Sequence, residues 1–293
     1  MLALSLTACG KAEEASAAED TPAAEESVSA QETESAAEET TVESAAAEGE
    51  MGPLMTSIME KGKIVVGTAS GYPPYEFIDI TSADQSVIGI DMALAQAIAD
   101  ELGVELEIQD MSFSSLLSSL PANTIDIAIA GIAPTDERKE SMDFSDSYLF
   151  AEQTFIILKE NEETYSTLEA FEGQTLAAEK STTQEALCQE LFPNNQLVSL
   201  EKVPDCILEL KNGKVAGICV ESIVGEQYVI SDDTLCFASA DTGRKKETAI
   251  ALQKGNEDLL AVLNKVIQEN KDNGNFDKWV EEYSMIAAEN AAD

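Results

Sequence analysis

An α/β fold of two lobes facing each other across a cleft is predicted by three observations on this 293-residue chain. Short apolar runs alternate with helical patterns from about Lys61 onward, which indicates mostly parallel sheets covered on both faces. The alternation is interrupted by a crossing segment, Thr154–Leu158, then repeats, and is interrupted again near Phe237–Ala240. Arg138, one of only two arginines in the chain, follows the run Ile125-Asp-Ile-Ala-Ile-Ala130 after it breaks at Gly131. Two lobes joined by two crossings leave a crevice at the carboxyl ends of their strands, and Arg138 lies at such an end.

The elements follow in order. Ile64–Gly67 reads as a short buried strand. Asp91–Leu102 is helical, because Leu94, Ile98 and Leu102 recur four apart and Gly103 supplies the stop. Val104–Ile108 is a strand, Phe113–Leu120 a short helix with serines toward water, and Ile125–Ala130 the next strand. Beyond the first crossing, Thr175–Ala178, Leu197–Leu200 and Val215–Val220 read as strands. Thr183–Leu191, Val203–Leu210 and Glu221–Val229 read as the helices between and after them. Past the second crossing come a strand, Thr248–Leu252, and an amphipathic helix, Asp258–Ile267, with Leu259, Leu263, Val266 and Ile267 on one side. Phe276, Trp279 and Tyr283 add an aromatic stripe at helical spacing, read as core.

Composition excludes several functions. Histidine is absent, which removes Ser-His-Asp and Cys-His catalysis and the usual zinc sites, while carboxylate or lysine chemistry remains open. No metal or cofactor is expected. A formal net charge of -39 and a pI near 4.1 speak against nucleic acid, which wants basic stripes. The chain contains no run of about 18 apolar residues, the length a membrane-spanning helix needs.

The first nine residues read as the truncated end of a signal segment, Leu6-Thr-Ala-Cys9, with small residues before the cysteine. From Lys11 to about Glu50 the chain is almost entirely Ala, Glu, Ser and Thr without one aromatic, too poor in apolar surface to order itself. It reads as an acidic, solvated tether. Four further cysteines, Cys188, Cys206, Cys219 and Cys236, have no metal-ligand spacing. Outside the cytoplasm one or two disulfides are permissible, and buried free thiols are equally compatible with the sequence.

In so acidic a chain a fixed guanidinium at a strand end is suited to a carboxylate, because its planar fork makes two parallel charge-assisted hydrogen bonds. The alternative is a surface arginine paired with Glu137 or Asp143. A second candidate is Thr182-Thr-Gln-Glu185, which reads as a capping box with Thr182 as N-cap. Glu221, at the end of a strand, is a third.

Five segments carry a resemblance. Gly71-Tyr-Pro-Pro-Tyr-Glu-Phe77, Gly89–Gly103 with its Gly-Ile-Asp start, Ala133-Pro-Thr-Asp-Glu-Arg138, Met142-Asp-Phe-Ser-Asp-Ser-Tyr148 and Ser181-Thr-Thr-Gln-Glu185 occur in the order and spacing of family 3 extracytoplasmic solute-binding proteins. The likeness runs from about Lys61 to Tyr283 and implies the two-lobed, type II periplasmic-binding-protein fold. It also implies an amino-acid receptor of an ABC importer. Arg138 resembles the arginine that clamps the ligand's α-carboxylate, with the Thr183 N–H pointing at the same group. Glu221 stands where the family places an acid for the α-ammonium, and the Gly131 carbonyl accepts from it too. Tyr72 and Phe113 occupy the apolar walls. Glu179 faces the ligand's side chain, where it suits a cation or an amide.

The chain departs from the family at Ala133, which replaces a hydroxyl and leaves only its backbone N–H to help. It departs again at Ala93 and at Ser181, which replaces a glycine. Ala69 stands where receptors for basic or amide side chains often carry an acid, so Ala69 and Glu179 point in different directions. Arginine, lysine, glutamine and cystine stay open as ligands. The resemblance makes Cys9 a lipidated N-terminus, anchoring a monomeric receptor to the outer face of a Gram-positive cell membrane beside its permease, with no nucleic-acid partner. The expected divisions are 1–9 signal, 10–58 tether, 59–155 with 240–285 as the first lobe, 156–239 as the second, and 286–293 as a tail. Two rivals use the same fold: a periplasmic dehydratase-like enzyme with Glu179 or Glu221 as general acid, and a ligand sensor that feeds no transporter.

Overall fold

The structure is a computed structural model and describes residues 51–292. Cys9 and most of the acidic segment lie outside the described residues. In chain order the elements are α1 (Pro53–Lys61), β1 (Lys63–Thr68), β2 (Phe77–Ile78), β3 (Val87–Ile88), α2 (Ile90–Leu102), β4 (Glu105–Asp110), α3 (Phe113–Ser119), β5 (Ile127–Ala128), α4 (Asp136–Lys139), β6 (Met142–Phe144) and β7 (Leu149–Leu158). There follow β8 (Leu176–Glu179), α5 (Thr183–Leu191), β9 (Leu197–Leu200), α6 (Val203–Lys211), β10 (Gly217–Glu221), α7 (Ser222–Ser231) and β11 (Leu235–Phe237). The last are β12 (Lys245–Thr248), β13 (Ala251–Gln253), α8 (Glu257–Asp272) and α9 (Asn275–Ala292).

Two sheets organise the fold. The first has the order β4-β1-β5-β13-β6, parallel through β4, β1 and β5 and antiparallel at β13 and β6. The second runs β11-β7-β10-β8-β9, with β10, β8 and β9 parallel and β7 antiparallel to β10 and β11. β7 is ten residues long because it serves as a crossing: its first half pairs with β12 and its second half with β10 and β11. The segment expected as one strand, Thr248–Leu252, divides. Thr248 ends β12 beside β7, and Ala251 opens β13 in the first sheet, so the chain changes sheets between them.

The cores follow from the apolar spacing. α2 buries Ile90, Leu94, Ile98 and Ala99, and α8 buries Leu259, Leu263, Val266 and Ile267. Each such side chain contributes about 1.5–3 kcal/mol relative to exposure. Phe276 is buried, stacks on Tyr148 at 5.7 Å and meets Trp279 edge-on at 5.2 Å, as expected of a closing stripe. Two elements lie outside the expected pattern. α1 starts at Pro53 and buries Met55 and Ile58, so ordered structure begins before residue 59. α9 continues to Ala292, so the residues expected as a tail extend a helix. Cys188, Cys206, Cys219 and Cys236 are free thiols, the first three buried.

Gly89 shows why α2 begins where it does. Its φ is 137°, and a Cβ there would collide with the Tyr75 carbonyl. The close approach lets Ile90 and Asp91 donate to the Pro74 and Tyr75 carbonyls at 3.0 Å each. The helix start is thereby fastened to the Tyr-Pro-Pro-Tyr loop.

Candidate functional site

Carboxyl ends of both sheets converge on a cleft. Of the residues singled out in the sequence, it is lined by Tyr72, Phe113, Gly131, Arg138, Glu179 and Thr183, together with Ala69, and Glu221 lies buried beside it. Glu76, Gln184 and Lys246 also line it.

Arg138 sits in α4, whose start is fixed by Thr135: the threonine hydroxyl accepts from the Arg138 N–H at 3.3 Å. The guanidinium donates to the Ala133 carbonyl at 2.9 Å and, across the cleft, to the Ser181 carbonyl at 3.0 Å. Its carbon lies 5.3 Å from the centre of the Phe113 ring. Among the described residues its hydrogen bonds go to carbonyls, and neither Glu137 nor Asp143 is its partner; Asp143 accepts from Gly255 instead. Burial pushes the guanidinium down to about 10, the opposing pull of Glu137 being smaller. The group stays charged at neutral pH and keeps spare N–H donors. Ala133, expected to offer its N–H to a ligand, accepts from the Arg138 guanidinium through its carbonyl.

Opposite, α5 opens at Thr183. The Thr182 hydroxyl accepts from the Glu185 N–H at 3.1 Å and donates to the Glu179 carbonyl at 2.6 Å. Glu185 reaches back one residue further than the usual box, accepting from the Ser181 N–H at 2.6 Å. Ser181 needs this support because its φ is 64°, a left-handed conformation that suits the glycine expected there. The resulting helix N-terminus presents the first N–H groups of α5 to the cleft.

Glu221 ends β10 and is fully buried. Tyr72 donates to its Oε1 at 2.7 Å and Tyr75 to its Oε2 at 3.0 Å. Lys246, on β12, adds an ion pair to Oε1, and the same ammonium donates to the Gly131 carbonyl. The two acceptors expected to stand open to a ligand's ammonium are therefore engaged by a cation of the protein itself. Sequence reasoning missed Lys246 because it stands in a charged run, Arg244-Lys-Lys-Glu247, which ordinarily faces water. The available signal was period-two alternation: in β12 Lys245 and Glu247 are exposed while Lys246 and Thr248 are buried.

Two more carboxyl groups line the cleft. Burial pushes Glu179 up to about 8, against the opposing pull of Lys246 and Lys202. Burial, and then the neighbouring Asp91 charge, push Glu76 well above the usual carboxylate range, and its Oε2 is without a partner among the described residues. Asp91, at the start of α2, accepts from the Gly131 N–H at 2.8 Å and from the Tyr148 hydroxyl at 2.7 Å. That contact orients the Gly131 peptide.

Two α/β lobes linked by long crossing strands, with a guanidinium on one side of the cleft and a helix start on the other, define an extracytoplasmic solute-binding protein. The family profile of bacterial extracellular solute-binding proteins, family 3, matches residues 64–285, and the chain belongs to that family. It is 32% identical over 222 residues to the arginine-binding extracellular protein ArtP of Bacillus subtilis, covering 74% of this chain and 84% of that protein. It is 28% identical over 243 residues to the L-cystine-binding protein TcyJ of Escherichia coli, covering 82% and 89%. Among solved structures, the amino-acid ABC-transporter substrate-binding protein AbpA of Streptococcus pneumoniae, bound to L-arginine, superposes with a TM-score of 0.78 at 33% identity. That superposition covers 80% of this chain and 99% of the other.

Proposed function

We propose that this protein binds a free amino acid in the cleft and hands it to the permease of an ABC importer. In this reading it works as a monomer held by a lipid on Cys9 to the outer face of a Gram-positive cell membrane. The observation that carries the reading is Arg138, a half-buried guanidinium that lines the cleft and bonds only carbonyl oxygens among the described residues. A ligand α-carboxylate meets its free donors on one side and the N–H of Thr183 on the other. Tyr72 and Phe113 wall the ligand's carbon skeleton. Glu179 and Glu76 face its side chain, which favours a polar or basic amino acid, arginine first.

Closure drives recognition. Ligand contacts from Thr183 and Glu179 form only when the second sheet meets the first, so they bias the open–closed equilibrium toward the bound form. Thermal-shift measurement across the proteinogenic amino acids plus cystine tests the proposal, since a ligand of the native state raises the melting point with concentration. A dose-dependent rise for one or a few of them is expected. No shift with any of them would overturn it.

A further inference from the structure

Lys246 stands out in a cleft that otherwise suits a zwitterion. Its backbone pairs with Ala151 of β7, so it rides on the crossing strands between the two sheets. Its side chain is nearly solvent-free, and its Nζ lies 5.7 Å from the centre of the Tyr72 ring. From there it bonds one acceptor on each side, the Gly131 carbonyl after β5 and the Glu221 carboxylate at the end of β10. Glu221 already accepts from Tyr72 and Tyr75. An ammonium has three N–H donors, so two are spent here and one is left for a ligand.

This has a simple consequence for any carboxylate held by Arg138. An incoming α-ammonium must either displace Lys246 from both acceptors or lie beside a second cation in a buried site, and both cost binding free energy. A carboxylate without that ammonium has neither difficulty. An oxygen acceptor or a plain methylene at its α-carbon sits against the remaining Lys246 N–H or against the Tyr72 ring.

We propose that Lys246 is the specificity-determining residue of the cleft: it takes the place of the ligand's α-ammonium, and so widens the ligand class from free amino acids to carboxylates whose α-nitrogen is missing or acylated. The inference rests on the reading that Arg138 receives a ligand carboxylate in this cleft.

The test crosses two ligands with two proteins by titration calorimetry. The ligands are L-arginine and 5-guanidinopentanoate, the same molecule without its α-amino group; the proteins are the full chain and Lys246→Ala. The unaltered protein is expected to bind 5-guanidinopentanoate as tightly as L-arginine, within about threefold, or more tightly. Lys246→Ala, which frees Gly131 and Glu221, is expected to bind L-arginine at least tenfold more tightly than the unaltered protein does and to disfavour 5-guanidinopentanoate at least tenfold. A hundredfold preference of the unaltered protein for L-arginine would overturn the inference and leave the amino-acid reading intact. So would a Lys246→Ala protein with an unchanged melting profile and no gain for L-arginine. The first comparison needs no variant, so a folding defect in Lys246→Ala does not spare the proposal. If neither protein binds either compound, the carboxylate-in-cleft reading itself falls, and the inference with it.

Discussion

Replacing Glu179 by glutamine isolates the cost of burying a carboxyl beside the cleft. Glu179 is 9% exposed and is pushed up to about 8 from an ordinary value of 4.5, chiefly by burial. A carboxyl whose folded pKa exceeds its unfolded one keeps its proton in the folded state while the unfolded chain releases it. Its contribution to stability therefore falls as pH rises from about 4.5 toward about 8, and levels off above that. At about 1.4 kcal/mol per pH unit, the loss is roughly 2–3 kcal/mol between pH 5 and pH 7. Glutamine has the same shape and no proton to lose. Urea unfolding of ligand-free wild type and Glu179→Gln at pH 5, 6, 7 and 8 reads the difference directly, since other titrating groups cancel between the two proteins. Glu179→Gln is expected to gain on wild type steadily across that range. A stability difference that stays constant from pH 5 to pH 8 would refute the reasoning.

Three further outcomes are expected. Arg138→Ala weakens amino-acid binding by about 3–5 kcal/mol, more than a hundredfold, because it leaves the ligand carboxylate buried without its cation; calorimetry with the best ligand of the thermal-shift screen measures it, and unchanged affinity would contradict the clamp. Tyr72→Phe removes a 2.7 Å donor from the buried Glu221 carboxylate and lowers stability by about 1–3 kcal/mol in urea unfolding, without a change of fold by circular dichroism. Thr182→Ala removes the cap of α5 and costs about 1 kcal/mol, visible as a lower urea midpoint at unchanged slope.

Where the fold depends on local pattern, the sequence was readable. Leu94, Ile98 and Gly103 marked α2 to within one residue, whereas Arg138, read as lying at a strand end, sits in α4, ten residues past the end of β5. Thr182 announced the start of α5 through its own hydroxyl and that of no neighbour. What stayed hidden depends on which sheet a residue reaches. Thr248–Leu252 looks like one apolar strand, and only the pairing of Thr248 with β7 and of Ala251 with β5 divides it. Lys246 is a surface-type residue whose burial is set by a carboxylate 25 positions earlier in the chain, which no local window contains. α1 was masked by its acidic neighbours, although Pro53 at the helix start and Gly62 at its end are standard signals.

The Asp91 carboxylate has a mechanical consequence. By holding the Gly131 peptide and the Tyr148 phenol at once, it bolts the helix start, the ligand loop and the root of the first crossing strand into a single block. Tyr148 is further fixed by its N–H to the Thr248 carbonyl at 2.8 Å, at the root of the returning strand. These anchors tie the start of α2, the Gly131 turn and the beginning of β7 to one another, so the first-sheet side of the cleft is braced as one piece.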